Sequence, residues 1–172
     1  VLDEGGRFVV PLLSGHLGGA NALAERLADA LGAQAVLTTA TDVRGVFAVD
    51  TWAKACGFTV AEPENIRYVS AALLRGETVG FMSDFPVCGA LPVGVTRDGA
   101  AESGFVVSCS TAARPFVHTL HLIPRVIVAG MGCRKGKDAA ALRVALDDAF
   151  AAAGIDRRAL AALATIDVKQ NE

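Results

Sequence analysis

The chain has 172 residues, 52% of them apolar and 20% charged, which excludes a disordered chain and allows one large or two small domains with a buried core. The formal net charge is -2, and the lysines and arginines are scattered, so no electrostatic feature favours nucleic acid, which binds clustered basic residues. The composition therefore predicts a globular protein that does not bind nucleic acid.

The cysteines and the apolar runs indicate the environment of the chain. The four cysteines form no CxxC pair, which argues against a zinc site or a disulfide scaffold and favours the reducing cytoplasm. No uninterrupted apolar run is long enough to span a bilayer, and no signal peptide pattern opens the sequence. We therefore expect a cytoplasmic protein without a membrane partner. Because the chain starts at Val1 and stops at "TIDVKQNE", we also expect both ends to be cut from a longer protein.

The first segment predicts a strand, a helix and a second strand. "RFVVPLL" (7–13) is continuously apolar, as in a buried parallel strand, and the glycine-rich loop "SGHLGGAN" (14–21) follows it. Apolar residues then recur at helical spacing from Ala20 to Leu31, and "QAVLTTATD" (34–42) is rich in β-branched residues. These lengths are typical of a βαβ unit in a parallel sheet.

Two helices are predicted at the start of the middle segment. The first contains Trp52, which we expect in the hydrophobic core, and ends at a glycine. The second has Asn65 as its N-cap and ends at Gly76, since asparagine favours helix starts and glycine favours helix stops.

Strands follow these helices. We predict them over 78–84, 105–111 and 117–123, with connecting or edge structure between the first two, where proline, glycine and small residues are frequent. His118 and His121 are three residues apart in the last of these strands. Their side chains are therefore expected on opposite faces of the sheet, where they cannot pair.

The last segment repeats the order of the first. "RVIVAG" (125–130) predicts a strand, "GMGCRKG" (130–136) a glycine-rich loop, and the following apolar stripe a helix that ends at Gly154. A short helix over 157–163 and the strand "LATIDVK" (163–169) complete the prediction. The predicted fold is α/β: two βαβ-type units with mostly parallel sheets, joined by a mixed α/β middle segment.

Both glycine loops are expected at the carboxyl ends of parallel strands, where ligands bind in open α/β sheets. Each second strand also ends in Thr followed closely by Asp: Thr41 with Asp42, and Thr165 with Asp167. Helix N-termini attract anions, and glycines let an anion reach the backbone. "GMGCRKG" is one residue too long for GxGxxG and does not match a Walker A loop, so a nucleotide is disfavoured. A small molecule that carries a carboxylate or a phosphate stays open.

Single residues of these loops allow a functional and a structural interpretation. His16 suits general acid–base catalysis and, equally, capping of the following helix. Asp42 and Asp167 suit contact with a substrate or capping of the next turn. Cys133 adjoins Arg134 and a helix start, which favours a thiolate, although free cysteines more often pack as small apolar residues.

Two stretches resemble the CbiG family of the anaerobic cobalamin pathway, and the resemblance covers nearly the whole chain. The first is "PLLSGHLGGANALAERLADALGAQAVLTTATDVRGVFAVDTWA"; the second is "VIVAGMGCRKG", followed after a helix by "ATIDVKQNE". The resemblance implies that residues 1–47 end the N-terminal domain, that 48–124 form the middle region, and that 125–172 begin the C-terminal domain.

The resemblance implies a cobalt-precorrin-5A hydrolase, which opens the ring-A δ-lactone of a cobalt-bearing macrocycle and releases acetaldehyde, giving cobalt-precorrin-5B. The cobalt belongs to the substrate, so no cofactor or metal ligand of the protein is implied. The implied partner is this cobalt-corrinoid, an apolar ring fringed with carboxylates. A homo-oligomer, contacts with other cobalamin-pathway enzymes, and a carrier that binds a tetrapyrrole without catalysis stay open.

Physical chemistry then suggests roles for the residues of the two loops. His16 is the expected general base or acid, Asp42 orients it or a water, and Ser14 polarises the substrate. The expected substrate-binding residues lie in the loops and at the strand ends: Gly15, Gly18, Gly19, Asn21, Thr41, Gly130, Gly132, Cys133, Arg134, Lys135, Gly136 and Asp167. Among them, Arg134 and Lys135 are expected to bind peripheral carboxylates.

Overall fold

Three β-sheets, one of five strands and two of two strands, organise the part of the chain that the structure describes. The structure is a computed structural model that describes residues 1–12, 18–37, 44–97, 99–134 and 136–165. Helices flank each sheet, so the predicted α/β class is confirmed.

The first sheet is a short parallel pair. Strands β1 (Phe8–Val9) and β2 (Gln34–Ala35) pair in parallel, and helix α1 (Ala20–Leu31) connects them. The helix has its predicted bounds, and the βαβ connection is confirmed. Strand β1 is shorter than predicted because Pro11 has no N–H to continue the ladder. The predicted second strand extends beyond Ala35 into residues 38–42, which lie outside the described residues.

The middle sheet has the strand order β3-β7-β6-β4-β5. The elements are α2 (Val49–Ala55), β3 (Thr59–Val60), a 3-10 turn (Pro63–Asn65), α3 (Ile66–Leu74), β4 (Val79–Ser83), β5 (Val95–Thr96), β6 (Ser103–Val107) and β7 (His118–Ile123). Strands β4 to β7 are parallel to one another, and β3 is antiparallel to β7. Strand β5 forms one edge, as expected for the stretch between residues 85 and 104.

The main hydrophobic core lies between this sheet and the helices α2 and α3. Its buried residues include Val49, Ala53, Val69 and Leu73 from the helices and Phe81, Phe105, Leu120 and Leu122 from the strands. Trp52 is half-buried and packs against this core, in agreement with the prediction. Aromatic and branched side chains on alternate strand positions therefore fix the helices over one face of the sheet.

Asn65 is the N-cap residue of α3, as predicted, although its side chain does not cap the helix; its Nδ2 donates to the carbonyl oxygen of Thr119 at 2.8 Å. One strand boundary in the middle segment differs from the prediction. The strand predicted over 105–111 ends at Val107, because the Ser108 hydroxyl accepts the N–H of Ser110 at 2.9 Å and turns the chain.

The third sheet is again a parallel pair with a helical connection. It consists of β8 (Ile127–Gly130) and β9 (Leu160–Ala164), connected by α4 (Ala139–Ala153) and a 3-10 turn (Arg157–Ala159). The prediction of helix over 157–163 is wrong beyond Ala159. Although "LAALA" favours helix, its pairing with β8 overrides that local preference.

Candidate functional site

The described residues contain part of the expected site. Those that lie outside them are Ser14, Gly15, His16, Thr41, Asp42, Lys135 and Asp167, whose roles stay predictions. The described ones are Gly18, Gly19, Asn21, Gly130, Gly132, Cys133, Arg134 and Gly136. They divide between the start of α1 and the loop after β8.

The first glycine loop ends at Gly19, where α1 begins. Gly19 has φ 76° and ψ 15°, a left-handed conformation that favours glycine. A Cβ added to Gly19 would lie 3.0 Å from Nζ of Lys54, which is in the last turn of α2. The left-handed turn therefore favours glycine here, and the nearby Lys54 is a residue that the sequence pattern did not indicate.

Lys54 adds positive charge to the N-terminus of α1. Gly19 is the N-cap residue and has no side chain with which to cap the first N–H groups of the helix. These groups carry the positive end of the helix dipole, and the ammonium of Lys54 lies at the same place. Asn21, in the first turn, is 8% exposed. The N-terminus of α1 beside Lys54 therefore suits an anion such as a carboxylate.

The second glycine loop follows β8 and lies at the edge of the third sheet where both parallel strands have their carboxyl ends. Gly130 ends β8, and the next backbone N–H donates to the carbonyl of Ala164 in β9 at 2.8 Å. The loop closes on a turn in which the Lys137 N–H donates to the carbonyl of Arg134 at 3.3 Å, and Gly136 has φ 76°. The side chain of Arg134 is exposed. The predicted location at strand carboxyl ends is confirmed for this loop.

An apolar groove of about 390 Å³ lies between this loop and α4. The loop contributes residues 130–132, and the helix contributes Leu142, Ala145, Leu146, Ala149, Phe150 and Ala153. An apolar wall therefore lies beside glycine residues whose backbone is uncovered by side chains. This combination suits an apolar ligand with polar substituents at its edge.

In the middle segment a buried histidine, His121, pairs with Glu62, which the sequence did not indicate. His121 is fully buried; its Nδ1 is 3.0 Å from Oε1 of Glu62, and its Nε2 is 2.7 Å from the carbonyl oxygen of Ala113. Both ring nitrogens of His121 therefore face oxygen acceptors. Glu62 also accepts the backbone N–H of His121 at 3.0 Å and a guanidinium N–H of Arg114 at 3.2 Å. The cluster holds the chain before α3 against β7.

The two histidines of β7 contact different elements, as their spacing predicts. His118 stacks on Tyr68 of α3 with ring centroids 3.8 Å apart, whereas His121 contacts Glu62. A histidine within an apolar strand is itself a signal that a polar partner exists. Its identity could not be read from the sequence, because Glu62 is 59 residues away.

Polar side chains also lie at the carboxyl ends of β4 and β6, an edge that the sequence analysis did not include in the site. Ser83 ends β4 and is followed by Asp84, whose N–H donates to the carbonyl of Val107 at 3.0 Å. Cys109 follows β6, and burial raises the pKa of its thiol, with a further increase from the charge of Asp84. This thiol is therefore protonated at neutral pH.

The described residues contain no group of three or more His, Cys, Asp and Glu side chains that could hold a metal ion. None of their helices is long and apolar enough to cross a membrane.

Three family models match consecutive parts of the chain. They are the cobalamin synthesis G N-terminal model at residues 1–42, the cobalamin biosynthesis central region at 47–124, and the cobalamin synthesis G C-terminus at 127–172. The chain belongs to the CbiG family. Within this CbiG chain, Gly19 falls in the N-terminal match, Lys54 and His121 in the central match, and the second glycine loop in the C-terminal match.

Curated relatives of this CbiG chain share a name. A cobalt-precorrin-5A hydrolase from Salmonella typhimurium is 32% identical over 184 residues, covering 100% of this chain and 52% of the relative. One from Priestia megaterium is 29% identical over 190 residues, covering 100% of this chain and 51% of the relative. A cobalamin biosynthesis protein G homolog of known structure from Sulfolobus solfataricus is 24% identical, with a TM-score of 0.37 over 98% of this chain and 51% of that one. The chain spans about half the length of the curated relatives it matches.

Proposed function

We propose that this protein is a cobalt-precorrin-5A hydrolase, which opens the ring-A δ-lactone and releases acetaldehyde to give cobalt-precorrin-5B. The observation that carries the proposal is the match of all three CbiG models in family order along one chain. The names of the relatives support the same activity. The reaction takes place in the cytoplasm, on a substrate that brings its own cobalt, so the protein needs no cofactor.

The reaction consumes one water. The oxygen of the water attacks the lactone carbonyl and the acyl carbon–oxygen bond of the lactone ring breaks; the acyl group becomes a carboxylate that stays on ring A, and the expelled oxygen becomes a hydroxyl. The released hydroxyl then loses its proton, the carbon–carbon bond to the macrocycle breaks, and acetaldehyde departs while the electron pair passes into the conjugated ring. A base is required for the water, and hydrogen-bond donors stabilise the tetrahedral oxyanion.

The first glycine loop supplies these groups in the proposal. His16 acts as base or acid, Asp42 orients it, and Ser14 with the amides of Gly18 and Gly19 donates to the oxyanion. The support is physical: Gly19 exposes backbone at the positive end of α1.

Cationic side chains of the three matched regions bind the carboxylates that fringe the ring. Lys54 belongs to this set because its Nζ lies against Gly19, and Arg134 and Lys135 belong to it through the second glycine loop. The apolar groove beside α4 receives part of the ring itself. Residues 1–47, 48–124 and 125–172 thus form three units that contribute to one reaction.

Acetaldehyde release tests the proposal. The purified protein, at the full length that its gene encodes, is mixed with cobalt-precorrin-5A, and acetaldehyde is measured by coupling to an alcohol dehydrogenase. His16→Ala is expected to lower kcat by about 10²–10⁴-fold, as for the loss of a general acid or base. His118→Ala is the matched control, since that ring stacks on Tyr68. Substrate binding without acetaldehyde from the wild type would indicate a carrier, and full activity of His16→Ala would exclude the assigned role.

A further inference from the structure

The topology of the middle sheet predicts a ligand crevice in addition to the two glycine loops. In the order β3-β7-β6-β4-β5, the chain leaves β4 toward β5 on one side and leaves β6 toward β7 on the other. The carboxyl ends of β4 and β6 therefore flank a topological switch point. In open parallel sheets, ligands bind in the crevice outside such a point.

A crevice of about 400 Å³ lies at this position. Phe81 and Val107 contribute to it from β4 and β6 themselves, and its walls are mainly apolar and aromatic: Trp52, Phe58, Phe85, Val87, Pro124 and Val126. Trp52 and Phe58 pack edge to face at 5.5 Å between ring centroids, which holds one wall rigid. This volume is in the usual range for small-molecule sites, about 300–1,000 Å³.

Hydrogen bonds fix the segment that closes the crevice. The Ser83 hydroxyl accepts the N–H of Phe85 at 3.1 Å and donates to the carbonyl of Phe85 at 3.0 Å. The adjacent N–H of Asp84 continues the β4–β6 ladder by bonding to Val107. These bonds restrain the crevice wall at Phe85.

An arginine lies beside this apolar surface. Arg97 lines a second hollow, of about 520 Å³, on the same Phe85–Val87 segment. Apolar walls with a guanidinium group nearby are complementary to an apolar ring that carries carboxylates at its edge.

We propose that the crevice at the carboxyl ends of β4 and β6 binds one edge of the corrinoid macrocycle, with Arg97 binding its peripheral carboxylates. This inference rests on the proposed function, because that function supplies an apolar, carboxylate-fringed ligand. A volume of about 400 Å³ accommodates an edge of the macrocycle rather than the whole ring. The glycine loops then contact other parts of the same substrate.

The single tryptophan of the chain makes the proposal directly measurable. Trp52 lines the crevice, so its emission should be quenched, with saturation, as dicyanocobyrinic acid is titrated into the protein. Val87→Phe fills the crevice from its rim and should weaken binding at least 10-fold. Val93→Phe is the matched control, because Val93 is 94% exposed and is not a wall residue. Arg97→Gln should weaken the binding of dicyanocobyrinic acid several-fold. The same variant should leave the binding of cobinamide unchanged, because the side chains of cobinamide are amides.

Alkylation of the cysteine thiols gives a second measurement, which uses only the wild-type protein and so does not depend on whether a variant folds. Cys56 and Cys88 line the crevice and are exposed, whereas Cys133 lies in the second glycine loop. Dicyanocobyrinic acid should protect Cys56 and Cys88 from iodoacetamide. Protection of Cys133 alone would overturn the crevice site.

Other outcomes separate this inference from the proposed function. Binding seen by equilibrium dialysis, without quenching of Trp52 and unaffected by Val87→Phe, would overturn the crevice and leave the hydrolase proposal intact. Acetaldehyde release by Val87→Phe with the wild-type KM would also overturn the crevice and leave the hydrolase proposal intact. Absence of both corrinoid binding and acetaldehyde release would overturn both. A loss of self-association in Val87→Phe, with no corrinoid effect, would assign the crevice to a second copy of the chain and overturn the proposal.

Discussion

Alanine in place of Gly80 or Gly104 should destabilise the protein, although both residues lie in regular strands. The two glycines are register partners in β4 and β6, and the ring of Phe116 covers both. A Cβ added to Gly104 would lie 2.5 Å from ring carbons of Phe116 and 2.6 Å from the carbonyl oxygen of Gly80; one added to Gly80 would overlap the same ring. Phe116 cannot move aside easily, because its N–H and carbonyl both bond to the Thr119 hydroxyl, at 3.1 and 2.8 Å.

The expected magnitudes follow from these contacts. Neither glycine has positive φ, so without the ring alanine would raise the free energy of unfolding by about 0.4–1 kcal/mol. Overpacking reverses the sign and should lower it by about 1–3 kcal/mol for Gly80→Ala. Gly104→Ala should be the worse variant, since it also meets the backbone of the neighbouring strand, which cannot rotate away. Gly99→Ala, with no described atom within 4 Å of the added Cβ, is the control.

A double-mutant cycle measures the contact itself. Phe116→Ala alone should lower the free energy of unfolding by about 3–5 kcal/mol, because the ring is buried. Adding Gly80→Ala to Phe116→Ala should then be neutral or stabilising, whereas Gly104→Ala should stay unfavourable against the Gly80 carbonyl. Urea denaturation, followed by circular dichroism and by Trp52 emission, gives the values. Equal destabilisation by Gly80→Ala with and without the Phe116 ring would refute the reasoning.

Three further predictions concern charged residues. Glu62→Ala should lower the free energy of unfolding by about 1–3 kcal/mol, because the buried backbone N–H and Nδ1 of His121 lose their partner; a change in urea stability below about 0.5 kcal/mol would contradict this. Arg158 lowers the pKa of Asp156, so the stability from this pair should be complete above about pH 4 and be lost as pH falls through the lowered pKa; acid denaturation curves of wild type and Asp156→Asn should converge at low pH. Lys54→Met should raise KM for cobalt-precorrin-5A several-fold with kcat unchanged, and Lys54→Arg should restore it; equal KM values would remove Lys54 from the site.

Elements that depend on neighbouring residues could be predicted from the sequence. The bounds of α1 and the end of α4 at Gly154 follow from apolar periodicity and from glycine in the left-handed conformation, both of which are local. The start of β9 could not be predicted, because "LAALA" prefers helix until it pairs with β8.

The same distinction applies to the candidate site. The position of the second glycine loop at strand carboxyl ends follows from the order strand, loop, helix along the chain. The contacts of Lys54 with Gly19 and of Glu62 with His121 join different elements, and no spacing in the sequence encodes them. The position of this loop at strand ends is therefore predictable from local patterns, whereas side-chain contacts between distant elements are not.

The glycines of the described chain have separable physical explanations, and for Gly132, in the second glycine loop, we expect the explanation to be the substrate. Gly19 is explained by positive φ, and Gly104 by the ring packed on it. Gly132 has neither explanation: its φ is not positive, and no described atom lies within 4 Å of an added Cβ. If the loop backbone must approach a bound substrate, folding tolerates Gly132→Ala and binding does not.

Gly132→Ala should therefore leave the free energy of unfolding unchanged or raise it by up to about 1 kcal/mol, since alanine restricts the unfolded chain. The same variant should raise KM for cobalt-precorrin-5A at least several-fold, because a methyl group would separate the loop amides from a substrate carboxylate. Gly99→Ala again serves as the control, with both quantities near wild type. A Gly132→Ala variant with wild-type KM would show that the open glycine of this loop does not approach the substrate, and the second loop would then lose its assigned part in binding.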